Sequence, residues 1–247
     1  MTEKPASERI MTDIHMHLIP GVDDGALDLD MALCMMLQAY EQGVRAIFAT
    51  PHSSAFAADG ALVRQQFSRL RERAAFLLPQ MQLYAGCEVY CRSGQMDRVL
   101  SDLDSGCFPT MNGTKYVLTE FSPWTDAQQA LFCAEALVQG GWIPILAHLE
   151  RYDALCFDRR TADRFRQLGC LIQINAYSLQ EEDSAQIRTW ARELVLQGYV
   201  DFLGTDAHRT YHRPPSAKSG LAWLYANCDP AYADGIAACN AQTLLTG

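Results

Sequence analysis

The chain has 247 residues, a formal net charge of −9 and an apolar fraction of 49%. That is enough material for one large core, since α/β barrels of this size fold as single domains. The acidic balance argues against nucleic acid or an anionic membrane surface as the main partner. It does not exclude a phosphorylated substrate, because bound cations can reverse the local sign of a cleft.

The nine cysteines, at positions 34, 87, 91, 107, 133, 156, 170, 228 and 239, are scattered without CxxC pairs. They read as reduced thiols of a cytoplasmic protein. Residues 1–10 read as a flexible leader: the stretch MTEKPASER is polar and lacks the apolar core of a signal peptide. No later run is long enough for a transmembrane helix, so direct membrane insertion is not expected. Residues 11–247 are then expected to form a single domain.

Positions 11–14 predict a short buried strand. On a strand, residues i and i+2 share a face, so His15 and His17 project together from its end. Pro20 and Gly21 break the strand, and Asp23 and Asp24 return two carboxylates toward the same spot. Imidazole combined with carboxylate suits manganese, iron or zinc. A helix is expected over 28–42, with Leu29, Leu33, Met36 and Tyr40 at helical spacing and Gly43 as its stop. A strand over 44–50 ends at Pro51-His52. The next helix, over 61–78, carries a stripe of Val63, Phe67, Leu70, Ala74 and Leu77 with its arginines toward water. A strand over 81–89 follows, with Glu88 near its end.

Further strands are expected over 116–120, 143–147, 171–175 and 200–205. Helices are expected over 95–103, 126–139, 158–168 and 183–197, with a helical region from 216 onward in which Asn240 is the expected final N-cap. Alternating apolar strands and helices imply a parallel sheet covered by helices. His17, His52, Glu88, Glu120, His148, Asn175 and His208 end seven successive strands. In a closed βα barrel these ends meet at one face, where barrel enzymes carry out their chemistry. Five of the six histidines lie at such ends. Glu88 and Glu120 each close an apolar run, and a buried carboxylate without a partner is too costly to be neutral. Metal coordination accounts for both together with the histidines.

The whole constellation resembles the bacterial tyrosine phosphatases of the polymerase and histidinol phosphatase (PHP) superfamily, the CpsB/YwqE type linked to capsule and exopolysaccharide synthesis. The resemblance rests on DIHMHLIPGVDDG at 13–25, QGVRAIFATPH at 42–52, GCEVY at 86–90, LTEFS at 118–122, PILAHLERYDAL at 144–155, QINAYS at 173–178 and GTDAHRTYHRPP at 204–215. It implies an α/β fold, a distorted (β/α)7 barrel. It also implies three divalent metal ions, manganese first with iron, zinc or magnesium as alternatives. Their ligands would be His15, His17, Asp24, His52, Glu88, Glu120, His148, Asp206 and His208, with Glu88 bridging, and Arg151 and Arg213 would bind phosphate. The uncharged stretch Ser53-Ser54-Ala55-Phe56 and the leader depart from the family pattern.

The implied activity is hydrolysis of phosphotyrosine by a metal-activated hydroxide, since neighbouring metals acidify a shared water and clamp the oxygens of an in-line displacement. No general acid is assigned, and His212 reads as a solvated loop residue. The implied partner is a phosphotyrosine protein, an autophosphorylating tyrosine kinase with a tyrosine-rich tail; the oligomeric state is open. Three rival readings stand beside this one. The first is a phosphoesterase of the same superfamily acting on a small molecule such as histidinol phosphate. The second is an amidohydrolase-like barrel, which commonly uses a carboxylated lysine at a strand end; Lys4, Lys115 and Lys218 are not so placed. The third is a non-catalytic regulator stabilised by metal.

Overall fold

The computed structural model describes residues 9–152, 159–180 and 184–246. The expected leader therefore lies outside the described residues except for Arg9 and Ile10, as do Cys156 and the expected helix starts at 158 and 183. Strands β1 (Met11–Met16), β2 (Val44–Ala49) and β3 (Gln82–Ala85) form one sheet in that order. The second sheet runs β4 (Glu88–Tyr90), β5 (Tyr116–Glu120), β6 (Ile143–Leu146), β7 (Leu171–Asn175) and β8 (Phe202–Gly204). Every pairing is parallel. Isolated parallel bridges from Met16 to Ala207 and from His52 to Glu88 link the two sheets.

Helices α1 (Leu29–Glu41), α2 (Ser53–Leu77), α3 (Met96–Asp104), α4 (Ala127–Gln139), α5 (Arg159–Gln167), α6 (Ala185–Leu196) and α7 (Lys218–Asn227) alternate with these strands. Three begin on a side-chain cap: Asp28 accepts from Met31 N at 2.9 Å, Asp126 from Gln129 N at 2.8 Å and Ser184 from Ile187 N at 3.2 Å. Each cap satisfies an amide that the first helical turn leaves without a partner. Helix α1 buries Ala32, Met35, Met36 and Ala39, with Leu29, Leu33 and Tyr40 half-buried beside them.

Most apolar side chains lie between strands and helices. A second cluster gathers Ile14, Phe48, Leu118, Ile145 and Phe202, one from each of five strands in both sheets, with Ala241 and Leu244 of the C-terminal segment. Among the described residues no helix is long and apolar enough to cross a membrane.

The sequence expectation needs correction in four places. The strand over 81–89 is two strands, broken at Gly86-Cys87. A Cβ on Gly86 would stand 2.9 Å from Thr50 Cγ2 and 3.0 Å from Met111 Sδ. The chain crosses there from pairing with β2 to pairing with β5, where Glu88 aligns with Leu118. Helix α2 starts at Ser53 rather than near Ala61; Asp59 breaks it, with φ −157° and ψ 82°, and its Oδ1 caps the second part by accepting from Leu62 N at 2.9 Å. Leu77 is not part of the buried stripe, being 49% exposed at the helix end. Asn240 is helical rather than an N-cap, and its Nδ2 donates to Asp201 O at 2.9 Å.

Candidate metal centre

The strands deliver their polar ends to one spot. His15, His17, Glu88, His148, Asp206 and His208 are buried, while the side chains of His52 and Glu120 are 28% and 21% exposed. Nine residues form four overlapping groups whose candidate ligand atoms lie within 4.8 Å of one another: His17, Asp24, His52, His208; His15, Glu88, His148; His15, His17, Asp206; and His52, Glu88, Glu120. They are the nine residues that the family resemblance implies as ligands.

Glu88 lies at the middle of this set. Its Oε1 is 3.2 Å from His15 Nε2 and 3.0 Å from His148 Nε2. Its Oε2 is 3.3 Å from His17 Nε2 and 2.9 Å from His52 Nδ1, yet it makes no hydrogen bond of acceptable geometry. Each oxygen thus faces two imidazoles from different strand ends. His15 Nε2 and His17 Nε2 face each other at 3.3 Å. Two ring nitrogens hold that separation when a proton or a cation lies between or beside them.

The outer nitrogens have their own acceptors. His17 Nδ1 donates to Asp23 Oδ2 at 2.8 Å, His15 Nδ1 lies 3.3 Å from Gln173 Oε1, and His208 Nδ1 lies 2.9 Å from Asp206 O. Such acceptors fix the tautomer and turn the Nε2 lone pair inward, as in metal-binding histidines. Gln173 Oε1 also accepts from His148 N at 2.8 Å, and Gln173 Nε2 donates to Asn175 Oδ1 at 3.0 Å. Asn175 Nδ2 in turn donates to Asp206 Oδ2 at 3.3 Å. Asp13, fully buried, accepts from His15 N at 3.1 Å and Thr205 N at 2.9 Å, tying β1 to the end of β8.

The electrostatics follow from setting four carboxylates among five imidazoles, with Glu88 and Asp206 buried, Glu120 partly buried and Asp24 64% exposed. Burial opposes ionisation of Glu88, but the His15 charge, the His148 hydrogen bond and the adjoining His15 and His17 imidazoles hold its carboxyl well below the usual range. Burial likewise opposes ionisation of Asp206, yet His15, His148 and Arg213 bring it down to about 2. Burial lowers His148, but Glu88 and the other carboxylates outweigh it and raise the imidazole to about 9. His208 is lowered to about 4 by burial, His17 and Arg213. Burial raises Asp13 to about 6.

Local backbone strain gathers at the same place. Of the four described non-glycine residues with positive φ, His148 (36°), Asp206 (52°) and Arg213 (55°) belong to this site. A left-handed backbone at such residues is held only where its surroundings over-determine it, and it clusters at functional sites.

The two arginines take different positions. Arg213 Nη2 bonds Asp206 Oδ2, and its Nη1 lies 3.2 Å from His208 Nε2, so its guanidinium fills the cationic position beside the acidic cluster. Arg151, exposed on the turn Leu149–Arg151, bonds the Tyr177 hydroxyl and lies 5.5 Å from that ring's centroid. Between the arginine turn and β7, buried Glu150 accepts from Asn175 N at 2.9 Å and from Ser178 Oγ at 2.8 Å. His212 lines a cleft beside Asp24 and His208 and is exposed.

Sequence reasoning missed Asp13, Gln173 and Glu150, and gave Asp23 no role distinct from Asp24. Asp13 and Gln173 each stand at i−2, from His15 and Asn175 respectively, and that same-face alternation is the signal that could have found them.

Comparison with known proteins bears on this geometry. Residues 11–246 match the family model for capsular polysaccharide synthesis, CpsB/CapC. The tyrosine-protein phosphatase CpsB of Streptococcus agalactiae is 29% identical over 245 residues, covering 95% of this chain and 98% of that protein. The tyrosine-protein phosphatase YwqE of Bacillus subtilis is 30% identical over 209 residues, covering 82% of this chain and 79% of YwqE. A crystal structure from work on YwqE of Bacillus subtilis and CpsB of Streptococcus pneumoniae, described as unique metal-dependent tyrosine phosphatases, superposes with a TM-score of 0.79. It has 27% identity and covers 90% of each chain. Relatives that match nearly end to end, over a span that contains all nine clustered residues and both arginines, make the chain a member of the CpsB/CapC family of capsular polysaccharide synthesis.

Proposed function

We propose that this chain is a metal-dependent protein-tyrosine phosphatase acting in capsular or exopolysaccharide synthesis. It hydrolyses a phosphoric monoester. The observation that carries the reading is Glu88, whose two oxygens each face two histidines from different strand ends. A single ion at four to six coordination would leave much of a nine-residue set unused, so the donor set favours three ions. The ligands are then His15, His17, Asp24, His52, Glu88, Glu120, His148, Asp206 and His208, with Glu88 bridging. Oxygen and imidazole donors without thiolate suit manganese, with iron, zinc or magnesium as alternatives.

Divalent ions held there would acidify a coordinated water and neutralise charge in an in-line displacement at phosphorus. The residues of the chain supply the rest. Asp23, Gln173 and the Asp206 carbonyl orient imidazoles, and Asn175 orients the Asp206 carboxylate. Arg213, at the edge of the cluster, and Arg151, on the neighbouring turn, hold non-bridging phosphate oxygens through planar forks. A tyrosinate leaves with a pKa of about 10, which lessens the need for a general acid.

For the scaffold we infer a closed, distorted (β/α)7 barrel. Its support is the inner cluster drawn from five strands and the two bridges linking the sheets, with β3 and β4 as one broken strand. We further propose a phosphotyrosine-bearing autophosphorylating kinase as substrate and a cytoplasmic location. Among the described residues the amidohydrolase alternative finds no lysine at the site: Lys115 and Lys218 are exposed and outside the cluster.

The test is side-by-side turnover of phosphotyrosine peptide, phosphoserine peptide and histidinol phosphate by metal-loaded and chelated protein. Phosphotyrosine should be preferred, chelation should abolish turnover, and elemental analysis should find more than one metal per chain. Faster hydrolysis of histidinol phosphate would replace the protein-phosphatase reading with the small-molecule one. A stoichiometry of one or less after supplementation would overturn the three-ion site.

A further inference from the structure

Two clefts of opposite character open onto the metal cluster. One, of about 410 Å³, reaches Asp24 and His208 and is cationic, lined by Arg209, His212 and Arg213. The other, of about 300 Å³, reaches His52 and Glu120 and is walled by Ala57, Tyr90, Val99 and Phe108. Apart from His52 and Glu120 of the cluster, its charged residues are Arg98 and Asp102, which pair with each other at 3.5 Å. The His52 and Glu120 side chains are 28% and 21% exposed, whereas His15, His17 and Glu88 are at most 1% exposed. The cluster is therefore open on two sides, at Asp24, 64% exposed in the cationic cleft, and at His52 and Glu120 in the apolar one.

We infer that the cleft between α2, the end of β4 and α3 is the aryl-binding site, taking the ring of the phosphotyrosine whose phosphate lies at the metal cluster. The inference rests on the phosphatase reading above. The phosphate dianion favours the side with the arginines, by charge and by hydrogen bonding. The ring carries no donor or acceptor once its oxygen is esterified, and it gains by leaving water for an apolar wall. A volume of about 300 Å³ lies at the lower end of the range for small-ligand pockets, enough for one ring. The polar groups at the mouth, Ser54, Gln95 and the Arg98–Asp102 pair, are then free to meet the peptide on either side of the ring. A cleft of this kind selects aryl over alkyl phosphates by wall contact alone.

The experiment measures binding, so it does not depend on turnover. Phenylphosphonate and methylphosphonate are titrated into the metal-loaded full chain and into Ala57→Trp. Ala57 is exposed, so the indole fills the cleft without entering the core. Wild type should bind the phenyl compound at least tenfold tighter. Ala57→Trp should remove that preference while binding methylphosphonate within about twofold of wild type. Tyr90→Ala should reduce the preference several-fold and serves as the second variant. An absent preference in wild type, or one that survives in Ala57→Trp, overturns the aryl site. An aryl preference without turnover of phosphotyrosine would instead count against the phosphatase reading and leave the aryl site standing.

Discussion

Asp23 Oδ2 accepts a hydrogen bond from His17 Nδ1 at 2.8 Å, so this carboxylate decides which nitrogen of His17 faces the cluster. Asp23 is itself fixed, since its Oδ2 also accepts from His52 N at 3.2 Å and its Oδ1 from Gly25 N at 2.9 Å. Burial opposes its ionisation, but the His17 bond and charge hold it below the ordinary carboxylate value. Replacing it by asparagine keeps the shape and removes the charge that makes the imidazole a better donor. Asp23→Asn should therefore weaken metal binding by about tenfold to a hundredfold, the usual cost of losing such a partner. Competition against a chelator of known affinity measures this, and unchanged affinity would remove Asp23 from the support of the site.

His15, His17, His52, Glu88, Glu120, His148 and His208 were legible in the sequence because they stand at the ends of strand-like runs, whereas Asp206 came from the family resemblance. A carboxylate such as Glu88 after LYAGC has to be justified by a partner, and strand alternation pairs His15 with His17. Gln173 was not legible as a support. A neutral amide in a strand raises no comparable penalty, and its partners, His15 on β1 and the His148 amide after β6, are distant in sequence. The break at Gly86-Cys87 was hidden for a similar reason. The apolar run continues through it, while the contacts that require glycine come from Thr50 and Met111. The helical turn at Ser53 escaped notice because the cap at Asp59 starts a better helical pattern just after it.

Gly204 sets the spacing between β8 and the histidine pair. A Cβ there would stand 2.7 Å from His15 Cβ and 2.8 Å from Gln173 Nε2, closer than side chains pack. Gly204→Ala should displace His15 or its Gln173 partner and lower kcat/KM by about a hundredfold, the scale expected when a catalytic geometry shifts by an ångström. Gly94, with nothing within 4 Å of a built Cβ, is the control. Equal activity in Gly204→Ala and Gly94→Ala would mean that the site tolerates the shift.

We expect none of the described cysteines to be the nucleophile. Burial pushes Cys133 up to about 11 and Cys170 up to about 12, and raises Cys87 and Cys91 well above the ordinary thiol value. A nucleophilic thiol requires the opposite shift. Alkylation of native protein near neutral pH should modify the exposed Cys34 and Cys239 and leave turnover intact. The raised values also fix a pH dependence. The folded state keeps the Cys170 proton that the unfolded chain releases near 9.0, so this stabilisation is complete below pH 9 and is lost as pH rises toward about 12. Urea titrations from pH 8 to 11 should show a shallower loss of stability in Cys170→Ala than in wild type. Parallel slopes would show that this thiol does not contribute.

The arginines separate phosphate binding from metal binding, because both stand outside the donor set: Arg213 touches the cluster, and Arg151 lies on the turn after His148. Arg213 bonds Asp206 Oδ2 and approaches His208 Nε2, and Arg151 is bonded to the Tyr177 hydroxyl on the next strand's turn. Arg151 is exposed, and such loop contacts usually contribute little to stability, so Arg151→Ala should leave the melting temperature near wild type; Arg213 pairs with the buried Asp206, so in Arg213→Ala the stability of the loaded protein should depend on bound metal to offset that carboxylate. If both hold phosphate, Arg151→Ala and Arg213→Ala should each lower kcat/KM for a phosphotyrosine peptide by roughly tenfold to a thousandfold, about 1.4 to 4 kcal/mol of transition-state stabilisation. Lysine should restore only part of it, since it returns the charge without the planar fork. Removal of Arg213 also takes a competing cation from beside Asp206, so Arg213→Ala should load metal at least as readily as wild type. Steady-state kinetics with metal content measured on the same samples checks both. Full activity in the double alanine variant with its metals retained would remove these residues from the mechanism.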